Sequence, residues 1–239
     1  MRLCGSRMKA KMLINLKTCL LAMVVACMAM GCSTLNGARP LAAGEHEVGI
    51  TGGGPVVMLG ESPIPIPSLV LEGRSGVTEV LERPLDVNYG LNATGLPFGI
   101  LQVHAGTSWL ALDQRGAVPA LSVGTRLYFA NNLMAMGGKA EGSEAVFWLN
   151  NQWEVTGSWL VGQQLLYLGL AQYLDFGNPA LTLTPFVGAS FDPGAAGGLK
   201  IQVEARWFAV NQAPTYDAIR WFPETTGSLG GSLGVSYVF

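Results

Sequence analysis

The chain has 239 residues, of which 49% are hydrophobic and only 13% are charged. Soluble domains carry about 25% charged residues, so the composition disfavours an ordinary water-soluble protein and suits one that contacts lipid. Five of the 14 basic residues precede position 32, which leaves 9 basic against 16 acidic residues downstream (14 − 5 = 9), a charge of about −7. This balance argues against nucleic acid as a partner, because phosphate binding requires a basic surface.

Residues 1–31 are predicted to be a secretory signal peptide. A basic region ends at Lys17, an apolar stretch covers residues 19–30, and the small residue Gly31 follows. The apolar stretch is too short to favour a membrane-spanning helix. All four cysteines lie within the first 32 residues, so the remaining chain has no disulfide framework.

Residues 32–44 are predicted to be a linker that precedes a barrel over residues 45–239. The stretch Ala29-Met30-Gly31-Cys32 resembles the lipobox of bacterial lipoproteins, in which the cysteine is acylated. The resemblance implies lipidation at Cys32. The alternative is ordinary cleavage near Gly31 or Ala43, with Cys32 incidental.

Alternation of apolar and polar residues dominates the rest of the sequence. In residues 199–209, for example, Ile201, Val203 and Trp207 share one face, while Gln202 and Glu204 share the other. Segments of 9–12 residues with this pattern match the length that a tilted strand needs to cross a bilayer. Ten segments are predicted as strands, namely 45–53, 67–75, 84–94, 99–111, 118–129, 145–156, 162–174, 180–191, 198–210 and 228–239.

The predicted fold class is therefore all-β, an antiparallel up-and-down transmembrane β-barrel of about ten strands, with eight to twelve possible. Long gaps follow the first, fifth and ninth segments, whereas residues 112–117, 157–161 and 192–197 are short connections. With both termini periplasmic, the long gaps become extracellular loops, as outer-membrane barrels prefer. The alternative is a water-soluble β-sandwich or a lipocalin-like barrel, whose exposed faces should carry more charge.

The final strand resembles the C-terminal insertion signal of outer-membrane barrels, with Val235, Tyr237 and Phe239 alternating up to the last residue. Residues 69–91 also resemble hairpins of small outer-membrane proteins, a likeness that carries no activity. These resemblances imply the outer membrane of a Gram-negative bacterium, with outer-membrane lipid and the barrel-insertion machinery as partners. Tyr237 and Phe239 are the predicted insertion signal.

If the apolar faces contact lipid, the opposite faces supply a polar network to the barrel lumen. Small barrels are generally filled by side chains, so paired charges that plug the lumen are expected, with a narrow small-solute pore as the alternative. The predicted lumen residues are Glu72, Arg74, Asp86, His104, Arg126, Glu154, Lys200, Glu204 and Arg206. Tyr167 and Tyr173 are predicted, with most of the tryptophans, to belong to interfacial aromatic girdles, with packing in the core or lumen as the alternative.

Two histidines, His46 and His104, are too few for a multi-histidine metal site, and no cofactor motif is present. Some outer-membrane barrels are hydrolases, and His104, Ser122 and Glu154 invite that hypothesis. Strand pairing across residues 112–117 is expected to place His104 opposite Thr125, roughly 10 Å from Ser122 at about 3.3 Å per residue. No catalytic residue is therefore predicted, and the hydrolase ranks below a non-enzymatic barrel and a pore.

The last long loop, residues 211–227, is the predicted contact surface. Exposed aromatic residues beside arginine are typical of binding hot spots. The candidates are Tyr216, Arg220, Trp221 and Phe222, and the alternative is a lid over the barrel mouth. The sequence predicts no ligand.

Overall fold

The computed structural model describes residues 37–59, 61–133, 147–176, 181–192, 198–213, 220–223 and 226–239. The predicted signal peptide, Cys32 and Tyr216 lie outside these residues. Within the described residues, no helix combines the length and apolar character needed to cross a membrane. The helical element they contain is a single turn of 3-10 helix at Leu96–Phe98.

Ten strands form the barrel wall, and two short strands lie at one end. The wall strands are β1 (His46–Leu59), β3 (Ser68–Val80), β4 (Arg83–Asn92), β5 (Ile100–Leu112), β6 (Ala120–Asn132), β7 (Phe147–Val161), β8 (Gln164–Asp175), β9 (Leu181–Phe191), β10 (Leu199–Phe208) and β12 (Ser228–Val238). The short strands are β2 (Ser62–Pro65) and β11 (Arg220–Trp221).

Each wall strand pairs antiparallel with the next wall strand, and β1 closes the ring. Strand β1 pairs on one edge with β3, where Glu47 faces Arg74, and on the other with β12, where Glu47 faces Val238. The prediction of a ten-stranded, closed, up-and-down barrel is thus confirmed. Closure leaves no free sheet edge in the wall, which a bilayer requires because lipid cannot hydrogen-bond an exposed edge.

Side chains alternate between the two faces of the wall as the sequence predicts. On β10, Ile201, Val203 and Trp207 are exposed, while Glu204 and Arg206 are buried. On β8, where the alternation was weak, the register places Leu166, Leu168 and Leu170 outside and Tyr167 and Ala171 inside. The outer surface is therefore apolar along most strands, and the polar faces line the lumen.

Several strand boundaries differ from the prediction. Residues 157–161, predicted as a turn, continue strand β7, and the turn lies at Gly162 and Gln163. The β3–β4 hairpin turns at Leu81 and Glu82, two non-glycine residues with positive φ, so it lacks a glycine or proline signal. The four connections at this end, residues 81–82, 113–119, 162–163 and 192–198, are short, which identifies the end as periplasmic.

At the opposite, outer end, β1 extends past the wall and forms a small sheet with β2 and β11. Val57 of β1 pairs with Ile64 on one side and with Trp221 on the other, and its side chain is fully buried. The change of partner occurs at Gly54, where φ is 156° and a Cβ atom would lie 2.1 Å from the carbonyl oxygen of Ile66. We call the three strands β2, β1 (from Val56) and β11 the outer sheet.

Candidate functional site in the barrel lumen

The middle of the lumen holds two buried ion pairs and the groups that bind them. Arg126 Nη2 lies 3.5 Å from Glu154 Oε1, with side chains 3% and 5% exposed. Arg126 also donates to Asn88 Oδ1 at 3.1 Å, and Glu154 accepts from Gln152 Nε2 at 2.8 Å. Tyr128 continues the network by donating to Gln152 Oε1 at 2.6 Å.

The second pair joins neighbouring inward positions of β10, where Arg206 Nε donates to Glu204 Oε1 and both side chains are fully buried. Tyr167 donates to Glu204 Oε2 at 2.9 Å, and Arg206 Nη1 donates to Tyr173 at 3.3 Å. Tyr167 and Tyr173 therefore bind lumen charges, and the prediction that they belong to an interfacial girdle is wrong. Their inward position follows from the register of β8.

The periplasmic half holds the remaining predicted lumen charges. Arg74 bridges two carboxylates, at 3.3 Å to Glu47 and 2.5 Å to Asp86, and Lys200 lies 3.5 Å from Glu47. Glu72 accepts a hydrogen bond from Thr51. Charges so buried persist when they are paired and hydrogen-bonded, because desolvation of an isolated ion is costly.

Among the predicted lumen residues, His104 packs its ring against an aromatic side chain. It is buried, and its ring centroid lies 5.3 Å from that of Tyr128. Strand register pairs His104 with Tyr128, not with the expected Thr125, and pairs Ser122 with Leu110. Six positions separate the two residues along the strands, roughly 20 Å at about 3.3 Å per residue, beyond nucleophile–base contact.

Ser122 has a different role, because its Oγ donates to the carbonyl of Ala38 at 3.1 Å. One serine–histidine contact is present elsewhere, between Ser75 Oγ and His46 Nδ1 at 3.0 Å on the exposed periplasmic rim. Within the described ranges, no cluster of three or more His, Cys, Asp or Glu side chains is arranged to hold a metal ion.

The main feature of the periplasmic half was not predicted from the sequence: residues 37–41 of the predicted linker lie inside the lumen. Ala38 and Leu41 are 3% and 4% exposed. Leu41 donates its backbone N–H to Asp86 Oδ2 at 3.1 Å, and Arg74 donates to the Arg39 carbonyl at 2.7 Å. We call residues 37–41 the inner segment.

The side chain of Arg39 fixes the inner segment to the far wall. It donates to Ser158 Oγ at 3.0 Å and to Gln114 Oε1 at 2.5 Å. Burial lowers the pKa of the Arg39 guanidinium, and the carboxylate of Asp113 opposes this shift. No alternating pattern marks the segment in the sequence. The only sign of a buried position was the apolar residues Ala38 and Leu41 near Arg39, in a chain with few charges.

A cavity of about 320 Å³ borders the inner segment on the periplasmic side. Its walls combine the segment with charged and polar side chains of the barrel, including Lys200, Gln163, Ser190 and Asp192. The periplasmic half is therefore occupied by a peptide segment as well as by wall side chains.

The structure describes part of the predicted outer contact surface. The backbone of Arg220 pairs with Met58 and that of Trp221 with Val57, so both belong to the outer sheet. Phe222 follows them and is 37% exposed. The sheet is held on the barrel by Ser228, whose Oγ donates to the Val56 carbonyl, and by the 2.8 Å bond from Leu229 N–H to the Phe222 carbonyl.

No protein-family model matches the sequence, and no curated protein matches it. Among solved structures, an outer-membrane channel from Pseudomonas putida F1 matches with a TM-score of 0.50 and 10% identity, over 87% of this chain and all of that one. The translocator domain of the autotransporter NalP from Neisseria meningitidis matches with a TM-score of 0.39 and 8% identity, over 95% of this chain and 97% of that one. The attachment invasion locus protein Ail of Yersinia pestis matches with a TM-score of 0.27 and 11% identity, over 82% of this chain and 99% of that one.

The closed wall, the apolar outer surface and the polar lumen define a class of protein. They are the features of an outer-membrane β-barrel, in which lipid-facing and lumen-facing side chains alternate along every strand. The protein is accordingly a ten-stranded barrel of the Gram-negative outer membrane, and its fold is similar to that of the Pseudomonas putida channel.

Proposed function

We propose that this protein is a non-enzymatic outer-membrane barrel with a closed lumen, whose role is structural or in contact at the cell surface. The observation that carries the proposal is the filling of the lumen in two layers. Buried ion pairs occupy the middle of the barrel, and the inner segment occupies the periplasmic half. A barrel that conducts solutes needs a continuous polar path instead, as porins have.

The outer sheet supports a role in surface contact. It ties two outer connections together, between β1 and β3 and between β10 and β12, through backbone pairing at Val57 and Met58. A surface held in one conformation loses little entropy on binding, which favours specific contact. The exposed ring of Phe222, beside Arg220 and Trp221, is the proposed centre of that surface.

The absence of catalysis is part of the proposal and rests on the placement of His104 and Ser122. The two lie too far apart to act together, and Ser122 binds the inner segment. Barrel insertion through Tyr237 and Phe239, and acylation of Cys32, also remain proposals.

Single-channel recording in planar bilayers tests closure. The refolded full chain is expected to give no steady unitary conductance, and the same preparation must show the heat-dependent shift in gel mobility that marks a folded barrel. Stable conductance steps from folded protein would reject the closed lumen.

The contact role requires a separate test in the native bacterium lacking the gene. The strain is complemented with the full chain or with a variant in which residues 61–65 are replaced by Gly and Ser. If the outer sheet mediates contact, the full chain and the variant both restore resistance to detergent. Only the full chain restores cell adhesion to surfaces. Equal adhesion of the two strains would contradict the contact role and leave the structural one.

A narrow small-solute pore is the second candidate, and the cavity of about 320 Å³ beside the inner segment favours it. The cavity places unfilled polar space within the periplasmic half. If the inner segment moved, this space would widen, although the Arg126–Glu154 layer would still lie above it. The conductance recording separates the pore from the closed barrel.

A further inference from the structure

We propose that the periplasmic half of the lumen is a binding site for a short peptide, and that the inner segment is its resident ligand. The proposal depends on the barrel fold but not on the surface role or on the conductance of the barrel. Its basis is that wall side chains bind three backbone groups of the segment and also bind the side chain of Arg39.

Three wall strands each direct one polar side chain at the backbone of the segment. Asp86 of β4 accepts the N–H of Leu41 at 3.1 Å, and Ser122 of β6 donates to the carbonyl of Ala38 at 3.1 Å. Arg74 of β3 donates to the carbonyl of Arg39 at 2.7 Å. Polar side chains aimed at buried main-chain groups stabilise a segment that has no strand neighbour.

Two positions of the segment set what the site accepts. Ala38 packs in a buried cluster with Tyr167, Ala171 and Phe186 that leaves room for a small side chain. A Cβ atom at Gly37 would lie 2.1 Å from Cζ of Arg74, so a larger residue here requires the Arg74 side chain to shift. The ligand class is therefore a short peptide with two small residues followed by arginine, which Ser158 and Gln114 bind.

Two observations show that the segment is a ligand of the wall and not part of it. It adds no strand to the sheet, and it borders the cavity of about 320 Å³ on one side. In addition, Oδ1 of the fully buried Asp86 has no hydrogen-bond partner among the described residues, so the segment leaves one acceptor of the site unbound. A buried acceptor without a partner is costly, and another donor would be favoured there.

The test uses the full chain with residues 37–41 replaced by Ser-Gly-Ser-Gly-Ser, refolded in detergent and checked by heat-dependent gel mobility. A fluorescein-labelled peptide of residues 35–43 is titrated in, and anisotropy is measured. Saturable binding is expected. The same peptide with Ala38→Trp is expected to bind about tenfold more weakly or worse, because overpacking the buried cluster costs about 1–3 kcal/mol.

The unmodified chain is the matched control, since its own segment fills the site and should exclude the peptide. Equal affinity for the two peptides, equal binding by the unmodified chain, or no binding to the folded variant would each overturn the proposal. If the replaced variant does not fold, the full chain with Ala38→Trp is used in the same titration. The larger side chain clashes with the buried cluster and displaces the segment. None of these results depends on whether the barrel conducts.

Discussion

Removal of the Glu154 carboxylate is expected to destabilise the barrel more than removal of a similar carboxylate on its rim. Glu154 and Arg126 are 3.5 Å apart and almost fully buried, so their attraction is about 5 kcal/mol at an effective dielectric constant of about 20. Glu154→Gln leaves Arg126 buried without its ionic partner, and such single removals typically cost about 3–5 kcal/mol. We expect a loss of about 3 kcal/mol in the free energy of unfolding.

The matched control is Asp113→Asn at the Arg83–Asp113 pair. The separation is nearly the same, 3.6 Å, but the side chains are 26% and 58% exposed. In water the attraction is about 1 kcal/mol before screening by salt, so we expect a loss below about 1 kcal/mol.

Urea unfolding in lipid vesicles, followed by tryptophan fluorescence, measures both losses. A third variant, Arg126→Met with Glu154→Leu, is expected to recover most of the stability, because it removes both buried charges together. Equal losses for Glu154→Gln and Asp113→Asn would refute the burial of the lumen pair. Failure of the double variant to recover would show that other partners, such as Asn88 and Gln152, carry the effect.

Three further predictions concern the membrane, assembly and the anchor. Val203→Lys, on the outer face of β10, is expected to cost about 2–4 kcal/mol in vesicle unfolding, and no cost would contradict lipid contact there. Phe239→Ala is expected to lower the heat-modifiable fraction in cell membranes several-fold, because it removes a ring that contacts the rings of Tyr237 and His46. An unchanged fraction would contradict this. Mass spectrometry of the mature N-terminus is expected to find acylated Cys32, and an unmodified Cys32 would reject the anchor.

The wall of the barrel was predictable because its signal is local. Alternation on β10 and β12 depends on neighbouring residues, and the bilayer requires the same apolar face along each strand. Boundaries were less accurate where the local signal misled. Gly157 suggested a turn but lies within β7, and the true β3–β4 turn uses Leu81 and Glu82, which give no turn signal.

The contents of the lumen were only partly predictable. Alternation indicated which charges point inward, but the partners of Arg74 depend on the register of three strands and on the inner segment. The inner segment itself was missed because its contacts join residues far apart in sequence, as between Ala38 and Ser122. Its small residues and proline are typical of a linker, and only the shape of the lumen shows that such residues fit there.

Accessibility of spin labels at Gln152 and Val203 tests the filled barrel most directly. The labels are placed one at a time in a Cys32→Ser chain reconstituted in bilayers, and collisions with oxygen and with a water-soluble nickel complex are measured. A lipid-facing Val203 and a closed lumen predict high oxygen access at Val203 and low access of both probes at the buried position of Gln152. High nickel access at Gln152 would show an open aqueous lumen, and low oxygen access at Val203 would contradict a membrane barrel altogether.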